Sequence, residues 1–273
     1  MRNIVSQTVP YQYDTIYSPF KAAEFEYAMD WLPDNGFTGV ELAIAYPDDV
    51  NASKLLSSIE SRGLVATSIA TGQAFGRDGI SLSSLDPDIR KRAVEIVKGH
   101  VNLSVETGMP NITIGLIRGK IGDDDRDRVY DALINAMDVC ANYSYNKGVR
   151  LQVEPINHNE TDLLNTVSET IQFLAELGNP ENLGILYDTY HSDIDENGCE
   201  TEAIAAAGSR LFNVHFADSG RQLPGYGSID FSRTYEAVKK TGYSGPFALE
   251  SMVTPSLEFV LKHSAKSILQ FIK

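Results

Sequence analysis

The chain has 273 residues, of which 42% are hydrophobic and 22% are charged, a composition typical of a globular protein with a sizeable core. Its 37 acidic and 23 basic side chains give a formal net charge of −14, which argues against a nucleic-acid partner because counterion release needs a basic face. Only two cysteines are present, and neither a signal-peptide core nor an apolar run of membrane-spanning length is found, so we expect a cytoplasmic protein with no membrane partner.

Eight short runs rich in β-branched residues alternate with longer segments whose apolar residues recur every three or four positions. The predicted strands are 3–9, 39–44, 64–69, 111–114, 149–155, 183–188, 211–216 and 247–250. The predicted helices are 22–32, 52–61, 87–106, 126–146, 167–177, 202–207, 231–240 and 256–272. Several helices are expected to stop at a glycine, namely residues 36, 63, 108, 148 and 242.

Eight strand–helix units in succession predict an α/β protein, a (β/α)8 TIM barrel that forms a single domain over residues 1–273. Such a barrel needs about 250 residues, which the chain length supplies. The competing fold is a doubly wound open sheet. It is disfavoured because no GxGxxG motif follows the first strand.

Polar residues end four consecutive predicted strands, where a barrel enzyme carries its active site. They are Glu154, Asp188, His215 and Glu250. Each acid follows residues apolar enough to be buried, and one such acid is more often a structural acceptor than a ligand. Three acids and an imidazole at one point would instead be neutralised by a divalent cation. We therefore expect one divalent ion per chain. The oxygen-rich set favours Mn²⁺, with Mg²⁺, Co²⁺ or Zn²⁺ as alternatives.

Three further polar residues lie close in sequence to these four. His191 is three residues after Asp188, Glu160 is six residues after Glu154, and Arg221 is six residues after His215 on a loop rich in glycine. For Glu160, a solvated loop acid or a cap of the following helix is an equal alternative. His215 could instead be a satisfied core histidine and Arg221 a solvated charge. The other polar groups at the strand ends favour a binding site.

Other titratable residues receive simpler predictions. Glu41 ends the second strand and either faces the pocket or pairs with a lysine, and we expect the pocket. His100 and His263 fall within helical patterns and are expected on the surface, while His158 has no assignment. The acidic run 123–125 is expected to complement the dipole of the helix that follows it.

Four motifs, in order and on the expected strands, carry a resemblance to the xylose isomerase-like TIM-barrel superfamily of sugar phosphate isomerases and epimerases. They are EPINHNETDLLNT from Glu154, YDTYH from Tyr187, VHFADSGRQLPGYGSIDF from Val214 and GYSGPFALE ending at Glu250. The second half of the chain looks most like the ketose 3-epimerase and hydroxypyruvate isomerase branch. The resemblance implies that Glu154, Asp188, His215 and Glu250 hold one metal ion and that Glu160, His191 and Arg221 contact the substrate.

Proton transfer beside a carbonyl group is the chemistry that the residues and the resemblance both predict. With Glu154 and Glu250 on opposite faces of a ketose C3, one would remove the proton and the other return it, so that the centre inverts. Transfer between C1 and C2 by one base would instead give aldose–ketose or hydroxypyruvate-type isomerisation. A lyase such as a dehydroshikimate-type dehydratase would use the same ligands.

Two other classes of function are less consistent with the sequence. An endonuclease IV-like phosphodiesterase needs histidines after the third and fourth strands, and the chain has none there. A non-catalytic binding module would not need a complete ligand set. Residues 70–73 and 115–118 carry no diagnostic motif, so the identity of the sugar stays open. We expect an unphosphorylated ketose as the substrate, since no basic cluster or phosphate-binding glycine loop follows the last two strands. A homo-oligomer is compatible with the sequence.

Overall fold

Eight parallel strands pair in sequence order in the computed structural model, which describes residues 3–272, and the eighth strand pairs with the first. The strands are β1 (Val5–Pro10), β2 (Gly39–Ala43), β3 (Val65–Ala70), β4 (Asn111–Ile114), β5 (Leu151–Val153), β6 (Leu183–Asp188), β7 (Leu211–Phe216) and β8 (Phe247–Leu249). The sheet is therefore closed, and the predicted (β/α)8 TIM barrel is confirmed. Residues 1, 2 and 273 of the predicted domain lie outside the described residues.

Ten α-helices within the described residues surround the barrel. They are α1 (Phe25–Asp34), α2 (Ala52–Glu60), α3 (Gln73–Asp78), α4 (Pro87–Glu106), α5 (Arg126–Lys147), α6 (Val167–Glu176), α7 (Thr189–Asp195), α8 (Glu200–Ala207), α9 (Phe231–Lys240) and α10 (Leu257–Leu269). None of these helices is both long and apolar enough to cross a membrane.

Local capping explains where the long helices begin and end. The side chain of Asp86 accepts hydrogen bonds from the first turn of α4, and Pro87 occupies a position where no backbone donor is needed. Asp125 caps α5 in the same way, so the acidic run lies at the helix N-terminus where it was predicted, and α5 ends at Gly148 in the left-handed conformation. All five glycines predicted to end helices have positive φ.

Two helices, α3 and α7, were absent from the sequence prediction. Both are short and directly follow the strands β3 and β6, so neither contains the two full turns that make a periodic pattern visible. β5 is also shorter than the predicted 149–155, with two residues fewer at each end. α7 matters most, since it carries His191.

His100 corrects a prediction about the surface. It lies in α4 with 0% of its surface exposed, whereas His263 is partly exposed. Burial lowers the pKa of His100 to about 3, so this side chain is neutral inside the protein. The two cysteines are free, with Cys140 buried in α5 and Cys199 exposed before α8.

Candidate active site

The four strand-end residues meet at the carboxyl end of the barrel. Glu154 follows β5, Asp188 ends β6, His215 lies in β7 opposite Asp188, and Glu250 follows β8. One ligand atom from each of the four lies within 4.8 Å of every other. Glu154, Asp188 and His215 are buried, and the side chain of Glu250 is 12% exposed. The fold thus brings together the four residues that the sequence predicted as metal ligands.

His215 lies at the centre of this cluster. Its Nδ1 is 3.5 Å from Glu250 Oε2, 3.6 Å from Asp188 Oδ2 and 4.0 Å from Glu154 Oε1. Neither His215 Nδ1 nor Asp188 Oδ2 has a hydrogen-bond partner among the described residues, although both atoms are buried. Ligands lie about 2.0–2.6 Å from a divalent cation, so opposite ligands are about 4–5 Å apart. The residues therefore fit a divalent cation.

Asp188 is oriented by the helix that it begins. Its Oδ1 accepts hydrogen bonds from the backbone N–H groups of Tyr190 at 2.7 Å and His191 at 3.3 Å, which caps α7. The carboxylate is consequently held with Oδ2 toward His215. A single aspartate thus serves both as a helix cap and as a candidate ligand.

The two glutamates of the cluster have different electrostatic surroundings. Burial and the neighbouring charge of Glu250 raise the pKa of Glu154 to about 8. Burial acts on Glu250 in the same direction, but the positive charge of Arg221 and the contact with His215 outweigh it and lower the pKa of that carboxyl. Repulsion between the carboxylates is what a bound cation would relieve.

Arg221 is held by a loop that Asp218 organises. The Asp218 side chain accepts hydrogen bonds from the backbone N–H groups of Gly225 and Gly227, both at 2.8 Å, and of Ile229 at 3.0 Å. Arg221 itself has φ of 55°, a conformation that costs a side-chain-bearing residue about 1–3 kcal/mol. The closed loop keeps this buried arginine pointed into the site.

The guanidinium group of Arg221 contacts two acids of the site, one in the four-residue cluster and one outside it. It donates hydrogen bonds to Glu250 and, at 3.1 Å, to Glu160 Oε1. The ring centroids of Tyr17 and Tyr190 lie 4.1 and 5.1 Å from its central carbon, so both aromatic rings contribute cation–π contacts. The alternative of a solvated charge is wrong for Arg221, which is only 3% exposed.

His191 presents its outer ring nitrogen to the cavity. The backbone N–H of Asn157 lies 3.3 Å from His191 Nδ1, so Nδ1 acts as the acceptor and Nε2 carries the proton. Burial lowers the pKa of His191 to about 4, which keeps the ring neutral. His191 Nε2 is 3.7 Å from Glu154 Oε1, and the histidine therefore offers a neutral hydrogen-bond donor beside the candidate ligands.

Arg118 is a structural residue that the sequence prediction missed. Its buried guanidinium donates hydrogen bonds to the backbone carbonyls of Glu154 at 2.6 Å, Leu163 at 3.0 Å, Leu164 at 3.2 Å and Gly115 at 3.3 Å. Burial lowers its pKa to about 10. Arg118 thereby holds the main chain of Glu154 against the segment that leads into α6.

A cavity of about 200 Å³ opens beside the four candidate ligands. Three site residues not identified from the sequence, Thr8, Thr71 and Thr113, line it together with Tyr17 and Gln73. Thr8 lies in β1, Thr71 directly follows β3 and Thr113 lies in β4, so the position of these threonines relative to the strands was the available signal.

Gly115 allows the side chain of Glu154 to lie close to the main chain in the same wall of the cavity. A Cβ atom added there would lie only 2.9 Å from Glu154 Oε2, so a larger residue would displace the glutamate. The residue lines the cavity directly after β4.

Three remaining predictions have mixed outcomes. Glu160 lines the cavity, and its capping alternative is wrong because Thr166 caps α6. Glu41 faces the barrel interior and contacts His215, neither lining the cavity nor pairing with a lysine. His158 is exposed and pairs with Asp195 of α7, outside the cavity.

Known proteins share this arrangement of strands and helices. The model of a family described as "Xylose isomerase-like TIM barrel" matches residues 29–271. A ketose 3-epimerase of Arthrobacter globiformis is 30% identical over 249 residues, which cover 89% of this chain and 84% of the relative. An L-ribulose 3-epimerase of Methylomonas sp. is 30% identical over 233 residues, 83% of this chain and 79% of the relative.

A solved structure supports the same relationship. The D-allulose 3-epimerase of Methylomonas sp. in complex with D-allulose superposes with a TM-score of 0.79 at 25% sequence identity. The match covers 97% of this chain and 90% of that protein, so the similarity extends over the whole barrel.

Proposed function

The chain belongs to the xylose isomerase-like TIM-barrel family, and from this we propose that it is a divalent-metal-dependent isomerase that epimerises a ketose at C3. The observation that carries the proposal is the buried cluster of Glu154, Asp188, His215 and Glu250 beside a small cavity. Relatives named as 3-epimerases of ketoses, including L-ribulose and D-psicose, support the reaction class.

Glu154 and Glu250 are proposed as the two bases. They follow β5 and β8, which are the outer members of the four-strand arc that carries the cluster, so they approach a bound ligand from different sides. One carboxylate accepts the C3 proton while the C–H electrons move into an ene-diolate between C2 and C3. The other carboxyl group then delivers a proton to the opposite face of C3, which inverts the centre.

A divalent cation, with Mn²⁺ as the proposed ion, would polarise the carbonyl and stabilise negative charge on the adjoining oxygens. Asp188 and His215 would hold it together with Glu154 and Glu250. His191 and Arg221 are proposed to bind the substrate oxygens near the carbonyl, and Glu160 to accept from a hydroxyl. The burial of the cluster excludes bulk water from the reacting carbon.

An unphosphorylated sugar is proposed as the substrate. Arg221 is the only basic side chain among the described residues that line the cavity, apart from the neutral His191, and its guanidinium is already bound to Glu160 and Glu250. A phosphate group would therefore lack a free cationic partner there. The remaining polar groups of the wall, chiefly threonine hydroxyls, suit sugar hydroxyls.

A screen of ketoses and ketose phosphates with Mn²⁺ tests this function, with products identified by NMR. We expect one or more free ketoses to be converted to their C3 epimers and the phosphates to remain unchanged. An aldose product would indicate an isomerase, and loss of water would indicate a lyase. Conversion of phosphates alone would overturn the proposed substrate class.

Arg221→Ala and His191→Ala should each retain one cation per chain but lower kcat by about 10²–10³-fold, the cost typical of removing one preorganised donor. The two side chains flank the cluster without belonging to it. Steady-state kinetics together with elemental analysis measure the two effects.

His158→Ala is the matched control for these variants, since His158 is exposed and lies outside the cavity. It should have near-normal kinetics. Loss of the cation from both Arg221→Ala and His191→Ala would mean that these residues belong to the metal site itself.

A further inference from the structure

Glu41 is a buried acid of β2 to which the proposed reaction gives no role. None of its surface is exposed, and its two oxygens lie within hydrogen-bond distance of four donors. Oε1 accepts from Thr8 Oγ1 at 3.0 Å, while Oε2 is approached by Ser68 Oγ, by Asn213 Nδ2 at 3.3 Å and by His215 Nε2 at 3.0 Å. Every carboxylate oxygen is therefore satisfied inside the barrel.

The contact between Glu41 and His215 determines which ring nitrogen faces the cluster. A carboxylate can only accept hydrogen bonds, so His215 Nε2 carries a proton directed at Glu41. The opposite nitrogen, Nδ1, points toward Asp188 and Glu250 and has no hydrogen-bond partner among the described residues. The lone pair of Nδ1 is thus the one available to a cation.

The contact also crosses the barrel rather than following the sheet. β2 and β7 are not neighbours, because β8 and β1 separate them on the shorter path around the barrel. Asn213 and His215 are alternate residues of β7, so both side chains point inward and both reach Glu41. Glu41 contacts His215 Nε2, whereas the three carboxylates of the cluster lie near Nδ1 on the other side of the ring.

We infer that Glu41 is a positioning residue for the metal site, which fixes His215 with Nδ1 toward the cation and makes that nitrogen a stronger ligand. This inference rests on the proposed function, because it assumes that the four-residue cluster binds a divalent ion. Carboxylates that accept from a metal-binding histidine orient its ring, and their loss costs about 10–100-fold in metal affinity.

Glu41→Gln tests the inference, with Co²⁺ and Mn²⁺ as the probes. Gln keeps the size of the side chain but weakens the acceptor, so we expect the Kd of each ion to rise by about 10–100-fold. In the Co²⁺-loaded wild-type protein, the proton on His215 Nε2 should give a hyperfine-shifted NMR signal that disappears in deuterated water. In Glu41→Gln this proton should exchange faster.

Glu196→Gln is the matched control. Glu196 accepts a hydrogen bond from the backbone N–H of Val167 and is half-buried, outside the four-residue cluster. It should bind both ions as the wild type does. Glu41→Asp is a second variant, available even if Glu41→Gln fails to fold. Shortening the side chain breaks the 3.0 Å contact with His215, so its Kd should also rise by about tenfold or more.

The outcomes separate this inference from the proposed function. Wild-type protein that binds neither ion would overturn both. Wild-type protein that binds, with Kd and proton exchange unchanged in the folded Glu41 variants, would overturn the positioning role alone. A lower melting temperature without any change in Kd would give Glu41 a purely structural role and would likewise overturn it.

Discussion

Glu250→Gln and Glu154→Gln should each lower the kcat of ketose epimerisation by about 10²–10⁴-fold, the range typical of a lost general acid or base. Gln keeps the shape of the side chain but can neither accept nor return a proton at carbon. Because Gln is also a weaker metal ligand, the cation content of each variant is measured first, and the kinetics are compared at saturating Mn²⁺.

Isotope exchange distinguishes a lost base from a lost ligand. With the cation retained, a variant that keeps one base should still exchange the C3 proton of the epimer whose C3–H faces that base. It should not convert one epimer into the other. Glu196→Gln again serves as the control for a generic Glu→Gln change, and normal conversion by either active-site variant would contradict the two-base assignment.

His215→Ala should lose the cation and the activity together. The imidazole is the one nitrogen ligand in the proposed set, and its Nδ1 lies between 3.5 and 4.0 Å from an oxygen of each of the three acids. The loss of metal affinity should exceed the about 10–100-fold expected for a residue that only orients a ligand.

Dialysis followed by elemental analysis measures the metal loss, with His158→Ala as the matched control on the exposed rim. Addition of excess Mn²⁺ should restore little turnover to His215→Ala. A variant that keeps one ion per chain and full turnover would show that the cluster is not the metal site.

Long helices with standard caps could be predicted from the sequence, and α4 shows why. Asp86 and Pro87 mark its first turn, and the observed limits match the predicted range. The spacing of apolar residues in α4 also indicates that His100 is buried. Val97, His100 and Val101 share one buried helical face, so the prediction that His100 lies on the surface was wrong.

Contacts between distant strands could not be predicted in this way. Glu41 and His215 are 174 residues apart, and only the barrel closure brings them within 3.0 Å. The sequence predicts that both residues lie near the ends of barrel strands. It does not predict which of several polar side chains each of them contacts. Arg118 is a similar case, because its partners are four backbone carbonyls that leave no side-chain pattern.

The site itself was predictable to the level of residue type and strand position. Glu154, Asp188, His215 and Glu250 each lie at or near the end of an apolar run, and in a parallel barrel such ends converge on one face. The residues of β1, β3 and β4 that line the cavity were missed because threonine at a strand end is common and suggests no particular chemistry.

Conversion of a ketose in deuterated water tests the central claim most directly. The wild-type protein, loaded with Mn²⁺ and given the best ketose from the screen, should place deuterium at C3 of the epimer as it forms. NMR of the product locates the label. Deuterium at C1 with none at C3 would contradict the C3 epimerase and would leave an aldose–ketose isomerase in its place.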